Sequence, residues 1–479
     1  MNTMKRPMCL AQILLASHTL LAQRAVAPTK LLDLSSAGST TTAVSMMSCG
    51  TANDKLCYST FTNFGAQGSN SAIWSTTGTS APFKLHESQA TMTIVTTAGN
   101  VVYYRTGSGF TGANDFVFGA TNLVQAVPVA PVAPVMTLTP THVPTADPFD
   151  ARILNGKLIC AMDMGTGIGV ELTSIPSLGK PKTLVKDIDP GASSGCYFDF
   201  ESPSCLFGGK LYFNAHNTTA GYELWTTDGS EQGTQQFSDF TAPGLTDFRV
   251  MHQQPLGDKI LLSASNELGD QELWSCTASA GSLALLKDIY PGTDHGSGPG
   301  PFTTVGNLTY FAAQDGTNGR ELWVTDGTSA GTRMVKDLRT GPNQNSNPHA
   351  MVTFKNKLYF FATNNAGEVG LYRTDGTAAG TVLCHTTTAQ GYIAKALCTS
   401  GRLYYLVPNT TTSLYRTDGT AASVEKVQPT TPITENYPYE QNTFVARGTT
   451  LYFMAGYTGP GSSLYKITDP AFVPPVIKK

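Results

Sequence analysis

Charged side chains are scarce. Asp, Glu, Lys and Arg make up 14% of the 479 residues, and the net charge is −3. A surface built to neutralise phosphates is therefore not expected, and no nucleic-acid partner is predicted. Hydrophobic residues are 41% of the chain, and that content with so little charge excludes a disordered polymer. Glycine and proline, at 47 and 28, are too few for a collagen-like or low-complexity chain. Beyond the N-terminus no segment approaches the roughly 20 apolar residues of a membrane-spanning helix. No HExxH, P-loop or CxxC motif is present.

The first 27 residues read as a cleaved secretory signal. Lys5 and Arg6 precede a largely apolar stretch from Met8 to Ala22, and Ala25-Val26-Ala27 supplies a small-x-small cleavage site. The expected localisation is secreted or cell-surface, with residues 28–479 as the mature domain. Export permits disulfides. Three close cysteine pairs follow the signal, and the expected bridges are Cys49–Cys57, Cys196–Cys205 and Cys384–Cys398. Cys160 and Cys276 sit in apolar, strand-like runs and read as buried thiols.

A repeat organises the rest. ELWTTDGS (223–230), ELWSCTAS (272–279), ELWVTDGT (321–328) and two copies of LYRTDGT (371–377 and 414–420) put Trp225, Trp274, Trp323, Tyr372 and Tyr415 at intervals of 49, 49, 49 and 43. Trp74 and Tyr465 extend the series, Thr173 holds the same place, and a degraded copy at 116–118 fills the last slot, which makes nine copies. Each copy has an aromatic strand such as KLYFFA (357–362), a Gly/Asn/Asp turn, the ELWxTDGT strand, and a last strand such as MVKDL (334–338). Short strands with frequent turn signals mean all-β, and four strands in about 49 residues is the unit of a β-propeller. The expectation is a single large propeller of nine four-stranded blades. Leu31–Leu34 would pair with the last copy to close the ring. Eight blades, with 86–150 as an insertion, is the alternative. Repeats are clear over 155–470 and weak over 28–150, where the Pro/Val-rich stretch 127–149 reads as an extended excursion.

Glu321-Leu322-Trp323 with Asp326-Gly327-Thr328, and Glu223-Leu224-Trp225 with Asp228-Gly229, resemble the ELWxxDGT repeat of secreted, hyalin-like bacterial proteins. The resemblance implies export and a propeller-like fold, and it carries no common catalytic residues. Many relatives have a C-terminal sorting domain, which the ending KITDPAFVPPVIKK lacks.

Chemistry is harder to place. Glu171, Glu223, Glu272 and Glu321 share one repeat position, and Asp228, Asp326, Asp375 and Asp418 share another. Identical positions in successive copies point to hydrogen bonding and turn formation, whereas catalytic carboxylates need differing environments. Asp315, Asn318 and Glu321 place oxygens close together, a calcium possibility that lacks the EF-hand pattern; no cofactor is expected. Function is sought where copies differ, in loops near the ring axis. The enzyme candidates there are Asp199 with Glu201 and Asp294 with His295. Asn343, Asn345, Asn347 and His349 occupy another such loop, and Asn217, Asn307 and Asn409 lie in N-x-T sequons. The regular repetition favours a non-catalytic scaffold that binds an extracellular glycan or protein. A propeller-type glycoside hydrolase or polysaccharide lyase is the first alternative, and a purely structural surface protein the second.

Overall fold

The computed structural model describes residues 29–33, 43–52, 55–63, 69–76, 83–88, 91–98, 101–107, 114–120, 152–164, 167–175, 182–191, 193–196, 204–238, 248–265, 270–292, 295–387, 396–398, 401–407, 413–427, 444–447, 449–456 and 462–469. The signal segment and the 127–149 excursion lie outside them.

The fold is all-β, but the single closed ring of nine four-stranded blades is corrected. Among the described residues the strands form nine separate antiparallel sheets, none closed on itself; eight have four strands and the one spanning 91–120 has three. The expected fourth strand of that copy would fall in the weakly patterned stretch after Ala120, where the described residues stop. Thr29–Asp33 pairs with Ser462–Thr468, so the first described strand completes the sheet formed by the last three.

The sheet of Thr303–Val305, Leu308–Gln314, Arg320–Thr325 and Arg333–Lys336 shows the plan of the others. Its second strand is buried on both faces, which is why it reads as a near-continuous apolar run. The equivalent strand Lys357–Thr363 makes the division clear. Leu358, Phe360 and Ala362 pack with Tyr310 and Leu322 of the preceding sheet, while Tyr359 and Phe361 pack with Leu403 and Tyr405 of the following one. Period-2 alternation thus sorts one strand between two cores. The third-strand aromatics face backwards in the same way: Trp225 joins Ile159 and Leu172, and Trp323 joins Leu273 and Ile289. The fourth strands carry the exposed apolar side chains Leu184, Leu285, Val382 and Leu383.

The turn between third and fourth strands is a longer module than Asp-Gly-Thr. Asp326 Oδ1 accepts from Thr328 N–H (2.9 Å) and Thr328 Oγ1 (2.7 Å). Gly331 N–H donates to Thr328 Oγ1 (3.0 Å), and the Thr325 and Thr332 hydroxyls meet at 2.7 Å. The 227–234 and 374–381 turns repeat these bonds. Gly327 is glycine because its φ is +87°. Gly331 is glycine for a different reason: a Cβ there would collide with the Asp326 carboxylate, as at Gly233 and Gly380 with Asp228 and Asp375. Each turn docks on the preceding sheet, through Asn155 Nδ2 to Asp228 O (3.2 Å), Lys259 Nζ to Gly327 O (2.7 Å) and Lys355 Nζ to Asp418 O (2.9 Å).

The Cys196–Cys205 and Cys384–Cys398 bridges are also corrected. Cys196 and Cys384 are free and buried, as are Cys160 and Cys276, while Cys205 is buried in a different core. Cys196 packs in the cluster between the 152–186 and 205–236 sheets, and Cys205 in the cluster between 205–236 and 249–287. Proximity in sequence here separates two thiols onto opposite faces of one sheet. Cys384 packs among Phe361, Leu371 and Tyr405. The side chains of Cys49, Cys57 and Cys398 lie outside the described residues.

Gly331→Ala should destabilise the protein by about 1–3 kcal/mol, the usual cost of a strained turn, while exposed Ser329→Ala should be neutral. Urea unfolding of the two variants checks this; equal midpoints would show that the glycine is not there for the carboxylate.

Candidate functional site

The repeated glutamates are buried and each holds the link that leaves its sheet. Glu321 Oε2 accepts from Leu338 N–H (3.0 Å) and Ser346 Oγ (2.6 Å), and Oε1 accepts from Ser346 N–H (3.0 Å). Glu272 accepts from the N–H groups of Ile289 (2.8 Å), Tyr290 (3.1 Å) and Ser297 (3.0 Å) and from Ser297 Oγ (2.7 Å). Glu171 accepts from Ile188 N–H (2.8 Å) and Gly195 N–H (2.7 Å), and Glu223 from Ser238 Oγ. Burial nonetheless pushes Glu171 and Glu321 up to about 7 and raises Glu272. These carboxylates clamp the fold.

The linkage has a definite sign. A carboxyl whose folded pKa lies above its ordinary value stabilises the fold at low pH, and that stability is lost as pH rises through about 7. Asp228, Asp326 and Asp375 are held below the usual range by the hydroxyl and N–H donors of Ser230, Thr328 and Thr377. Their contribution is present above the ordinary Asp range and lost as pH falls below it.

Of the four enzyme candidates only His295 lies within the described residues. Asp199, Glu201 and Asp294 lie outside the described residues. His295 is exposed and stacks on Tyr290 at 4.8 Å and 20°. Asp315 is committed to its own turn, accepting from Thr317 N–H (2.9 Å), Asn318 N–H (2.8 Å) and Asn318 Nδ2 (2.7 Å), while Glu321 serves its clamp. Among the described residues no group of three or more His, Cys, Asp or Glu could hold a metal, and no helix is long and apolar enough to cross a membrane. Asn345 Oδ1 accepts from Arg320 N–H (2.7 Å), and His349 Nδ1 lies 2.7 Å from Asn347 O, so that loop is occupied by turn bonds. Two Gly-x-Ser-x-Gly strings occur, at 191–195 and 327–331. A nucleophile elbow needs a strand-to-helix turn; 327–331 joins two strands, and in 191–195 the central Ser193 lies in a bend with no helix among the described residues around it.

A different cluster does converge. Asp189 follows the strand Thr183–Lys186 and is 1% exposed. Its Oδ1 accepts from Thr218 N–H and Thr218 Oγ1, both at 3.0 Å. Its Oδ2 faces His216 Nδ1 at 3.8 Å, and the His216 side chain is 32% exposed. His216, on Lys210–Asn217, sits directly opposite Tyr222, on Gly221–Thr227, with ring centroids 4.9 Å apart. Arg249, which opens Arg249–Leu256, lays its guanidinium over Tyr222 with Cζ 4.3 Å from the centroid. Three successive sheets thus contribute a carboxylate, an imidazole and a guanidinium. Glu171 sets the position of Asp189, because the Ile188 amide it holds is the residue before. The sequence did contain a signal. In VKDIDPG, LLKDIYPG and MVKDLRTG the position after the Ile or Leu is Asp189, Tyr290 or Arg339, and it varies while its neighbours repeat.

No family model matches the chain, and no curated protein does. Among solved structures it is similar to puromycin hydrolase (12% identity, 79% of this chain, 60% of that one, TM-score 0.38) and to a Mycobacterium tuberculosis puromycin-hydrolyzing peptidase (11%, 80%, 61%, 0.37). It is also similar to a structure from a study of two prolyl endopeptidases (11%, 79%, 54%, 0.40). The chain spans less than two thirds of the length of these structures. All of them are hydrolases, where the expectation was a non-catalytic binding scaffold, and that expectation is withdrawn. Likeness at this level assigns no activity.

Through these groups stability should peak near the ordinary carboxylate values of 3.8 to 4.5 and decline from there to about pH 7. Thermal melts should show Tm falling as pH rises from 4.5 to about 7, and Glu171→Gln with Glu321→Gln should flatten that limb. An unchanged alkaline limb in the double variant would show that these glutamates do not carry it.

Proposed function

We propose that the chain is an exported enzyme that works by acid–base catalysis, with His216 as the proton-transfer group and Asp189 as its positioning residue. One observation carries the reading: a buried carboxylate fixed through one oxygen by Thr218 turns its other oxygen to a part-exposed imidazole. A carboxylate in that position holds an imidazole in one tautomer and orientation, which leaves the other ring nitrogen free to move a proton. The 3.8 Å separation is a pre-catalytic one that substrate binding would tighten, as is common in free enzymes. The ELWxxDGT-like repeats and the signal-like segment 1–27 support export and a substrate met outside the cell.

General acid–base catalysis contributes about 10²–10⁴-fold. A panel of fluorogenic esters, amides and glycosides should reveal turnover by the mature chain. His216→Gly should lower kcat by about a hundredfold or more with only a small fall in melting temperature from the lost Tyr222 contact, and added imidazole should restore part of the loss. Turnover that survives in His216→Gly, or no turnover by the unaltered chain across the panel, would sink the assignment.

A further inference from the structure

We infer that the same site takes a ligand bearing a carboxylate, docked on Arg249. The inference rests on the acid–base reading only in calling that ligand a substrate; the docking argument is separate.

The described arginines are otherwise occupied. Arg416 is bracketed by Glu425 (2.6 Å) and Asp469 (3.0 Å). Arg320 donates to Gly298 O (2.8 Å) and Gly300 O (2.9 Å), Arg333 to Gly376 O (2.8 Å), and Arg152 to Ser204 O (3.3 Å). Arg402 lies 3.6 Å from Asp418. Arg249 differs. It is exposed, its guanidinium meets the Tyr222 ring, and among the described residues no carboxylate lies within ion-pair distance of it. A guanidinium held by its face against an aromatic ring keeps its N–H edge for hydrogen bonding and loses little freedom when it binds. That edge matches a carboxylate with two parallel bonds, which a lysine could not supply. The ring that seats Arg249 also packs against His216, so the two groups share one aromatic neighbour. The one acid in the cluster does not compete for it, since Asp189 is buried with Oδ1 bound by Thr218.

Benzoate and benzamide are suitable probes, because they share a ring and differ in charge. By calorimetry or ligand-observed NMR on the mature chain, benzoate should bind about tenfold or more tighter than benzamide, the change expected for one charge-assisted pair. Arg249→Met should bring benzoate to the benzamide level, and Arg249→Lys should recover only part of the difference. His216→Gln should leave benzoate binding intact, so that failure of the acid–base reading would not be confused with failure of this one. Equal binding of the two probes, or benzoate binding unaltered in Arg249→Met, overturns the inference.

Discussion

The interaction on which the rest of the structure depends is the clamp between a third-strand glutamate and the link that leaves its sheet. A buried carboxylate is expensive, and it is retained here because the link must turn away from one sheet and enter the next with its amides satisfied. Glu321 reaches both sides of the 337–348 link, at Leu338 and at Ser346. Glu272 does the same at Ile289 and Ser297. The Ser346 and Ser297 hydroxyls suit either protonation state, since a hydroxyl donates to a carboxylate and accepts from a carboxylic acid. Without this anchor the first strand of the following sheet would have no defined starting point.

Packing then propagates the order that the clamps set. Because each second strand divides its side chains between two cores, no sheet is a self-sufficient unit. Tyr359 shows the coupling in one residue: its ring lies in the core shared with the following sheet, and its hydroxyl donates to Gly419 O of that sheet at 3.2 Å. The Asp-Gly-Thr turns add a second tie at the opposite end of the strands. Stability is therefore expected to be distributed between neighbours, as in other repeat architectures.

Much of this was legible because the repeat is strict where the packing is strict. The 49-residue spacing of Trp225, Trp274 and Trp323 marks third strands, and KLYFFA and its relatives mark second strands. The closed nine-bladed ring did not survive, because periodicity counts copies and says nothing of how many strands each copy pairs. Among the described residues the 91–120 copy pairs three. The cysteine pairs failed for a related reason. Cys196 and Cys205 are nine apart, yet they pack into the cores on opposite faces of one sheet. The Gly that closes the turn module was also invisible, since only the coordinates show that Gly331 makes room for Asp326.

The site escaped the sequence reading because it is not contiguous and contains no motif. Asp189, His216, Tyr222 and Arg249 come from three sheets, and each sits at a repeat position whose other copies carry different chemistry. Where Asp189 meets His216, the next copy has Tyr290 stacked on His295, and the one after has Arg339 bonded to Asn345 O at 3.4 Å. The clamp beneath all three is the same. A scaffold of this kind can hold the backbone of each link constant and vary the single side chain that follows it. Chemistry can then arise at one copy without disturbing the others. The repeated glutamate and the unrepeated aspartate are thus parts of one arrangement: the first fixes the Ile188 amide, and the second uses the position so fixed to face an imidazole.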